Sequence, residues 1–406
     1  MAVVVGEFGF LAGSIGAVAA ARVVSAFDRA SAERLPVLVS TSSGGTRMQE
    51  GTPAFVLMAD IARAMTRHRE AGLLSIAYLR HPTTGGVFAT WGSLAQITWA
   101  EPGALVGFLG PKVFELLNGR PFPADVQTAE NLAAVGVIDE VVAHDDLRTR
   151  VAEALGVFAP ATAATLPRPT AVEAPAHDVW ESIEHTRRED RIGARDVLAF
   201  ATDAFVPLYG THEGERDDTV LIGLARIDGQ PCVVAAQDRH AQQDRPMGPA
   251  ALRQARRAMA LAHDLRLPLV TIVDTPGAEL SPEAEERAMA GEIARCLATL
   301  TTLDVPTISL VLGQGCGGGA LALVPAQVVV ATEHAWISPL PPEGASAIVH
   351  GDVDHAADLA RSQRVGAAEL VSAGIVHRVL PEAEESSVFV ADVAGELSAL
   401  VHEVTS

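Results

Sequence analysis

Positive charge, cysteine and aromatic rings are all scarce in this chain. Its 406 residues carry 30 Lys plus Arg against 50 Asp plus Glu, a formal net charge of −20 at pH 7. That balance argues against a basic face for nucleic acid or for an anionic membrane, and it requires any anionic ligand to be met by local dipoles or a few placed cations. There are 3 cysteines, Cys232, Cys296 and Cys316, without Cys-x-x-Cys spacing, so neither a disulfide framework nor a thiolate metal site is encoded and a reducing, cytoplasmic setting is expected. The 13 histidines likewise show no metal-ligand spacing, so no metal is expected in the chain. No apolar run is long enough to span a bilayer. The start, Met1-Ala-Val-Val-Val-Gly-Glu, lacks the basic region and apolar core of a signal peptide.

Glycine, by contrast, is plentiful, at 35 residues, and it is concentrated at turns. The stretch Val311-Leu-Gly-Gln-Gly-Cys-Gly-Gly-Gly-Ala-Leu-Ala-Leu323 follows a β-branched run and leads into small apolar residues. This pattern reads as a buried strand turning through glycines into a helix. Backbone N–H groups left uncovered there can hold an anion or a developing oxyanion. Taken alone, such a turn is as readily a close-packing device. Cys316 lies inside it, but no suitable base stands beside it in sequence, which argues against a nucleophile.

The chain repeats itself. Pro36-Val-Leu-Val-Ser aligns with Pro268-Leu-Val-Thr-Ile at an offset of 268 − 36 = 232, and the same offset carries Gly45 onto Gly277, and Gly85 and Gly86 onto Gly317 and Gly318. A duplication of that period makes each half a domain with its own core. The expected division is a first domain over 1–157, an Ala/Pro/Thr-rich linker over 158–178, and a second domain over 179–406. Within the first half the pattern predicts strands over 2–10, 36–40, 74–79, 93–100 and 104–108, with helices to about Ala30 and over 53–71. In the second it predicts helices over 180–192, 194–204 and 249–265, and a hairpin turning at Asp228-Gly229. Strand, turn and helix recur as β-β-α units, an α/β class distinct from a Rossmann sheet.

Several motifs in order go further. Gly-Ser-Ile-Gly, Ser-Gly-Gly-Thr-Arg-Met-Gln-Glu, His-Pro-Thr-Thr-Gly-Gly-Val and Ala-Glu-Pro-Gly-Ala-Leu-Val-Gly-Phe-Leu-Gly-Pro, within 8–142, resemble the β subunit of the acetyl-CoA carboxylase carboxyltransferase. Asp-Thr-Pro-Gly-Ala, Ala-Glu-Glu-Arg, Gly-Gln-Gly-Cys-Gly-Gly-Gly-Ala-Leu-Ala and Pro-Glu-Gly-Ala-Ser-Ala, within 196–381, resemble its α subunit. The chain looks like both fused, β then α.

The resemblance implies two tandem crotonase-like (ClpP/crotonase) β-β-α superhelical domains, acting on acyl-CoA in the first half and on biotin in the second. It implies carboxyl transfer from carboxybiotin on a separate carrier protein to the α-carbon of an acyl-CoA, acetyl-CoA above all, giving malonyl-CoA. Negative charge then develops on the thioester oxygen and on the biotin ureido oxygen, and backbone donors answer both without titrating. Gly85 and Gly86, with Gly44 and Gly45, are the expected hole for the enolate; Gly318, Gly319 and Ala320, with Gly277 and Ala278, are the expected hole for the biotin carbonyl. Arg47 and Lys112 are weaker candidates for CoA phosphates, and Glu343 is either a functional acid or a helix N-terminal one. Lys112 is the only lysine and is not in a Met-Lys-Met context, so a biotin carboxyl carrier protein and a biotin carboxylase are expected as partners. The family's β subunits usually also carry a four-cysteine zinc ribbon ahead of the point where this chain begins, so either a small N-terminal partner supplies it or this branch manages without it. A homodimer or higher oligomer is a further expectation. Two other readings stay open on sequence alone: a biotin-independent malonyl-thioester decarboxylase and a non-catalytic scaffold.

Overall fold

The first half is built on six strands, β1 (Ala2–Val5), β2 (Val37–Ser43), β3 (Ser75–Thr84), β4 (Ile97–Ala100), β5 (Val106–Gly107) and β6 (Glu140–Val141). They pair in parallel in the order β1-β2-β3-β4-β6, with β5 on β3. Strand β3 is long enough to serve two neighbours. Its Ile76–Leu79 part pairs with β4, while Thr83 and Thr84 pair with β5. That division turns successive β-β-α units into a superhelix and carries the end of β3 out toward the Gly85-Gly86 turn.

The second half has β7 (Thr202–Leu208), β8 (Val220–Ile227), β9 (Gln230–Gln237), β10 (Leu269–Thr275), β11 (Thr307–Cys316), β12 (Val328–Thr332), β13 (Trp336–Ser338) and β14 (Arg378–Leu380), ordered β14-β12-β11-β10-β9-β8-β7 with β13 on β11. Strands β8 and β9 are antiparallel, turning at Asp228 and Gly229 with φ of 47° and 77°, the left-handed pair that a tight hairpin asks for. This computed structural model describes residues 1–159, 166–170 and 177–405. Most of the expected linker lies outside them. Within it, Arg168 Nε donates to Glu396 Oε2 at 2.9 Å, beside the C-terminal helix Ser386–Thr405.

Contacts divide the chain into two compact units. One comprises Met1–Val151, Leu208–Arg216 and Asp264–Arg266, and the other Ala152–Pro207, Asp217–His263 and Leu267–Ser406. In the first, Val37, Val39, Ala77 and Leu79 pack with Phe27, Ile61, Met65 and Trp91. In the second, Val270, Ile272, Ile308 and Leu310 pack with Phe389, Val393 and Leu397. Each Val, Leu, Ile, Phe or Met side chain among them contributes roughly 1.5–3 kcal/mol by leaving water.

The strand ends nearest the turns are buried but polar. Ser40 to Ser43 are all buried, and the last three hydroxyls find partners: Thr41 Oγ1 meets Thr83 Oγ1 at 3.0 Å, Ser42 Oγ donates to the His81 carbonyl at 2.9 Å, and Ser43 Oγ accepts Gly45 N at 3.0 Å. Satisfied in this way, the polar run costs little to bury and holds the backbone rigidly where it leaves the sheet.

Several boundaries depart from the sequence expectation. The first strand stops at Val5, because residues 11–13 form a 3-10 turn with Leu11 and Ala12 at φ of 50° and 53°. The helix expected over 53–71 is two helices, Gly51–Val56 and Met58–Glu70. The strand expected over 93–100 begins only at Ile97, and the helix expected over 180–192 is Val179–Thr186. Pro249–Leu265 is helical over the span expected.

Candidate active site

The duplication is visible in hydrogen bonds. Val37 pairs with Ser75 and Leu269 with Thr307, and the register breaks at the same place in each half, between Thr41 and Ser43 and between Val273 and Thr275. Ile15 bridges Thr46 as Met247 bridges Ala278. Arg47 N donates to the Ile15 carbonyl at 2.9 Å, and Glu279 N donates to the Met247 carbonyl at the same distance. Each of these pairs of positions is related by 232.

The turns themselves match. Gly45 has φ of 105° and Gly277 of 132°, Gly85 has 63° and Gly317 has 64°, all values that a side chain resists. Gly45 N donates to Ser43 Oγ at 3.0 Å, and Gly277 N to Thr275 Oγ1 at 3.1 Å. In the first unit the two turns nearly touch. A methyl group at Gly45 would stand 3.3 Å from Gly85 Cα and 3.4 Å from Gly86 N.

Which amides remain to act is then decided by subtraction. Gly44 N is taken by the Ala12 carbonyl, Gly45 N by Ser43, and Gly85 N by the Phe108 carbonyl at 3.0 Å. Among the described residues no acceptor takes the N–H of Gly86 or of Thr46. In the second unit Gly277 N is taken, while Ala278, Gly318 and Gly319 N–H have no acceptor among the described residues. Gly319 and Ala320 are both buried in the helix Gly317–Leu321. So Gly44, Gly45, Gly85 and Gly277 shape the turns, and Gly86, Gly318, Gly319 and Ala278 offer donors. Thr46 was missed in sequence because it is not a glycine. Only the bridge to Ile15 marks it.

Gly319 is fixed from behind. Gln237, fully buried, donates from Nε2 to the Gly319 carbonyl at 2.8 Å and accepts Asp274 N on Oε1 at 3.1 Å. Asp274, also fully buried, accepts Gln314 N on Oδ1 at 3.0 Å, and burial pushes its carboxyl above the ordinary range against the opposing pull of Arg239. A cleft of about 480 Å³ opens beside Pro276, lined by Arg187, Arg239, Gln242, Gln314 and Glu343 among others. Glu343 lies in the first turn of helix Pro342–Val349 and takes a two-point contact from Arg187 at 2.6 and 3.1 Å, which holds its carboxyl below the usual range. The Cys316 thiol is buried and pushed up to about 12, so it is no nucleophile at neutral pH.

The two cations nominated from sequence differ. Arg47 is committed: Nη2 donates to the Ser14 carbonyl at 2.8 Å, Nε to Ser14 Oγ at 3.2 Å, and Nη1 to Glu50 at 3.0 Å. Lys112 is exposed on helix Pro111–Asn118.

Residues 1–396 match the carboxyl transferase domain. The chain belongs to that family. The "probable biotin-dependent acyl-coenzyme A carboxylase beta3 subunit" of Mycobacterium tuberculosis is 53% identical over 99% of this chain and 82% of its own length. The "acetyl-coenzyme A carboxylase carboxyl transferase subunits beta/alpha" protein of Salinispora arenicola is 38% identical over 94% of this chain and 71% of its own. Among solved structures, transcarboxylase 12S superposes with a TM-score of 0.79 at 21% identity, over 98% of this chain and 78% of that one. A single-chain long-chain acyl-CoA carboxylase gives 0.76 at 20%, over 98% and 39%. At those identities the likeness speaks for the fold, and it agrees with the crotonase-like architecture expected from sequence. This carboxyltransferase is thus a transferase of the biotin-dependent acyl-CoA carboxylases, with biotin carried on a separate subunit. No helix among the described residues is long and apolar enough to cross a membrane.

Proposed function

We propose that this carboxyltransferase moves the carboxyl group from carboxybiotin to acetyl-CoA, giving malonyl-CoA, with the first unit serving the acyl-CoA and the second the biotin. The observation that carries the reading is the doubled turn. Each unit presents backbone donors with no acceptor among the described residues: Thr46 and Gly86 in one, and in the other the equivalent Ala278 and Gly318, with Gly319 beside them. The N1–carboxyl bond of carboxybiotin breaks and the new C–C bond forms at the α-carbon, while the ureido nitrogen receives the α-proton. Charge appears on the ureido oxygen and on the thioester oxygen, one for each turn. Preorganised amides stabilise such charge without reorganising, and losing a single donor of this kind typically costs about 10²–10³ in rate.

The cleft beside Pro276 is the proposed seat of the ureido ring, and Lys112 the cation that meets CoA phosphate. Acetyl-CoA is favoured by the naming of the Salinispora relative. The proposed partners are a biotin carboxyl carrier protein and a biotin carboxylase. A homo-oligomer is supported by two equivalent eight-residue helices, Pro111–Asn118 and Pro342–Val349, which leave Leu116, Leu117, Ile348 and Val349 exposed. A zinc-ribbon partner is a further proposal, tested by whether such a subunit co-purifies with the chain.

The test is the reverse reaction. The purified chain is given malonyl-CoA or methylmalonyl-CoA, with or without free biotin, and loss of the carboxyl group is followed by mass spectrometry. Biotin-dependent loss with malonyl-CoA preferred is the expected result. Biotin-independent loss would establish a decarboxylase instead.

A further inference from the structure

Three histidines lie in a row in the second unit, far from one another in sequence. The ring centroids of His177 and His334 are 4.6 Å apart, and those of His334 and His185 are 4.2 Å apart. Two carboxylates, Glu333 and Glu382, stand against them. His177 Nε2 meets Glu333 Oε1 at 2.6 Å, and His185 Nδ1 lies 3.6 Å from Glu382 Oε2. Two sets result, His177–Glu333–His334 and His185–His334–Glu382, each with its ligand atoms within 4.8 Å of one another.

The second set is already satisfied. Arg191 grips Glu382 through both Nη1 and Nη2, so its charge is spent and a guanidinium faces any incoming cation. In the first set Glu333 pairs with no arginine or lysine among the described residues. Its Oε2 is aimed by Glu382 N at 2.9 Å, which leaves Oε1 facing His177. The Glu382 carboxylate in turn accepts His334 N at 3.0 Å, so the ends of β12 and β14 hold each other's side chains. His334 Nδ1 lies 3.1 Å from Ser182 Oγ, leaving Nε2 for coordination. An outer partner of that sort is the usual companion of a metal-bound imidazole.

The geometry points to a divalent transition-metal site formed by His177, Glu333 and His334, taking zinc, nickel or cobalt. Two imidazoles and one carboxylate suit those ions, and not calcium or magnesium, which prefer oxygen alone. Metal–ligand bonds of about 2.05 Å place tetrahedral ligands about 3.3 Å apart, so closing from the present spacing takes side-chain movements of about 1 Å. An ion there would tie the entry of helix Val179–Thr186 to the turn between β12 and β13. Strand β13 pairs with Gln314–Cys316, directly ahead of the glycine turn. The site is therefore structural. It stands on side-chain positions and not on the reaction proposed above.

The test uses the full chain, stripped with a chelator and desalted, then titrated with zinc against a chromophoric chelator and with cobalt by visible absorption. One zinc per chain is expected, with H177A, E333Q and H334A each weakening it by at least about tenfold, S182A weakening it by a smaller factor, and H350A, in the exposed His350–His355 pair whose ring centroids lie 4.2 Å apart, leaving it unchanged. Zinc is expected to raise the melting temperature of the wild type but not of H177A. His177 is exposed, so H177A tests the site even if H334A folds poorly. Zinc binding equally tight in wild type and H177A would overturn the assignment. So would loss in H350A instead, since binding would then belong to scattered surface histidines.

Discussion

Adding one methyl group at Gly319 tests the donor assignment directly. A Cβ there would lie 3.2 Å from Ala278 N and 2.5 Å from Met247 Cε. The first contact lays a methyl over one free amide. The second is with the end of a flexible side chain, which can swing aside for roughly 1 kcal/mol. Gly319 is not among the positive-φ glycines, and alanine in place of glycine within a helix returns about 1 kcal/mol, so G319A is expected to fold with nearly wild-type stability. Catalysis is another matter. Occluding one oxyanion donor is expected to lower kcat for biotin-dependent malonyl-CoA turnover by about 10²–10³, equivalent to about 2.7–4 kcal/mol of transition-state stabilisation. Because the turn is assigned to biotin, KM for malonyl-CoA should stay put while kcat falls. Turnover within about threefold of wild type, under 1 kcal/mol, in a folded G319A protein would refute the assignment. A rise in KM for malonyl-CoA with kcat unchanged would show that the units had been assigned to the wrong substrates.

Other expectations follow the same logic. G86A places a methyl 2.9 Å from Thr46 Oγ1 and should cut kcat by about 10² while the fold, followed by circular dichroism, survives. K112A should raise KM for malonyl-CoA about fivefold and leave kcat alone, as befits one exposed ion pair worth about 1 kcal/mol; an unchanged KM removes Lys112 from the CoA site. G136A should be among the most damaging single changes, by about 3 kcal/mol or more in urea unfolding, because Gly136 has φ of 76° and its Cβ would fall 2.1 Å from the Glu215 carbonyl oxygen. All three thiols are pushed up to about 12 by burial, so iodoacetamide labelling of the native protein at pH 8 should be negligible and should appear only with unfolding. Fast labelling of Cys316 in the folded state would contradict its burial.

What could be read from sequence was whatever local chemistry decides. The Asp228-Gly229 hairpin, the helix Pro249–Leu265 and the 232-residue repeat were legible because turn residues and periodicity encode them. Strand ends were less so. Val5 and Gly6 give no sign that residues 11–13 will wind into a 3-10 turn. The helix expected to run to Ile192 ends at Thr186, and Arg191 becomes a buried anchor for Glu382, a partner 191 residues away. The site showed the same boundary. Glycines could be nominated, but which amides are spent on Ala12, Ser43 and Phe108 depends on folded contacts. Histidine spacing gave no hint of metal, since His177 and Glu333 meet across 156 residues.

Amide protons in the turns exchange with solvent according to whether a protein acceptor holds them. Gly45, buried, and Thr46, half-buried, are neighbours just past the end of β2, yet the first proton is held by Ser43 and the second by no acceptor among the described residues. Burial normally goes with slow exchange, and an amide without an acceptor departs from that rule. Two adjacent residues should therefore exchange at very different rates, and the fast one should slow when an oxyanion takes its place in the turn.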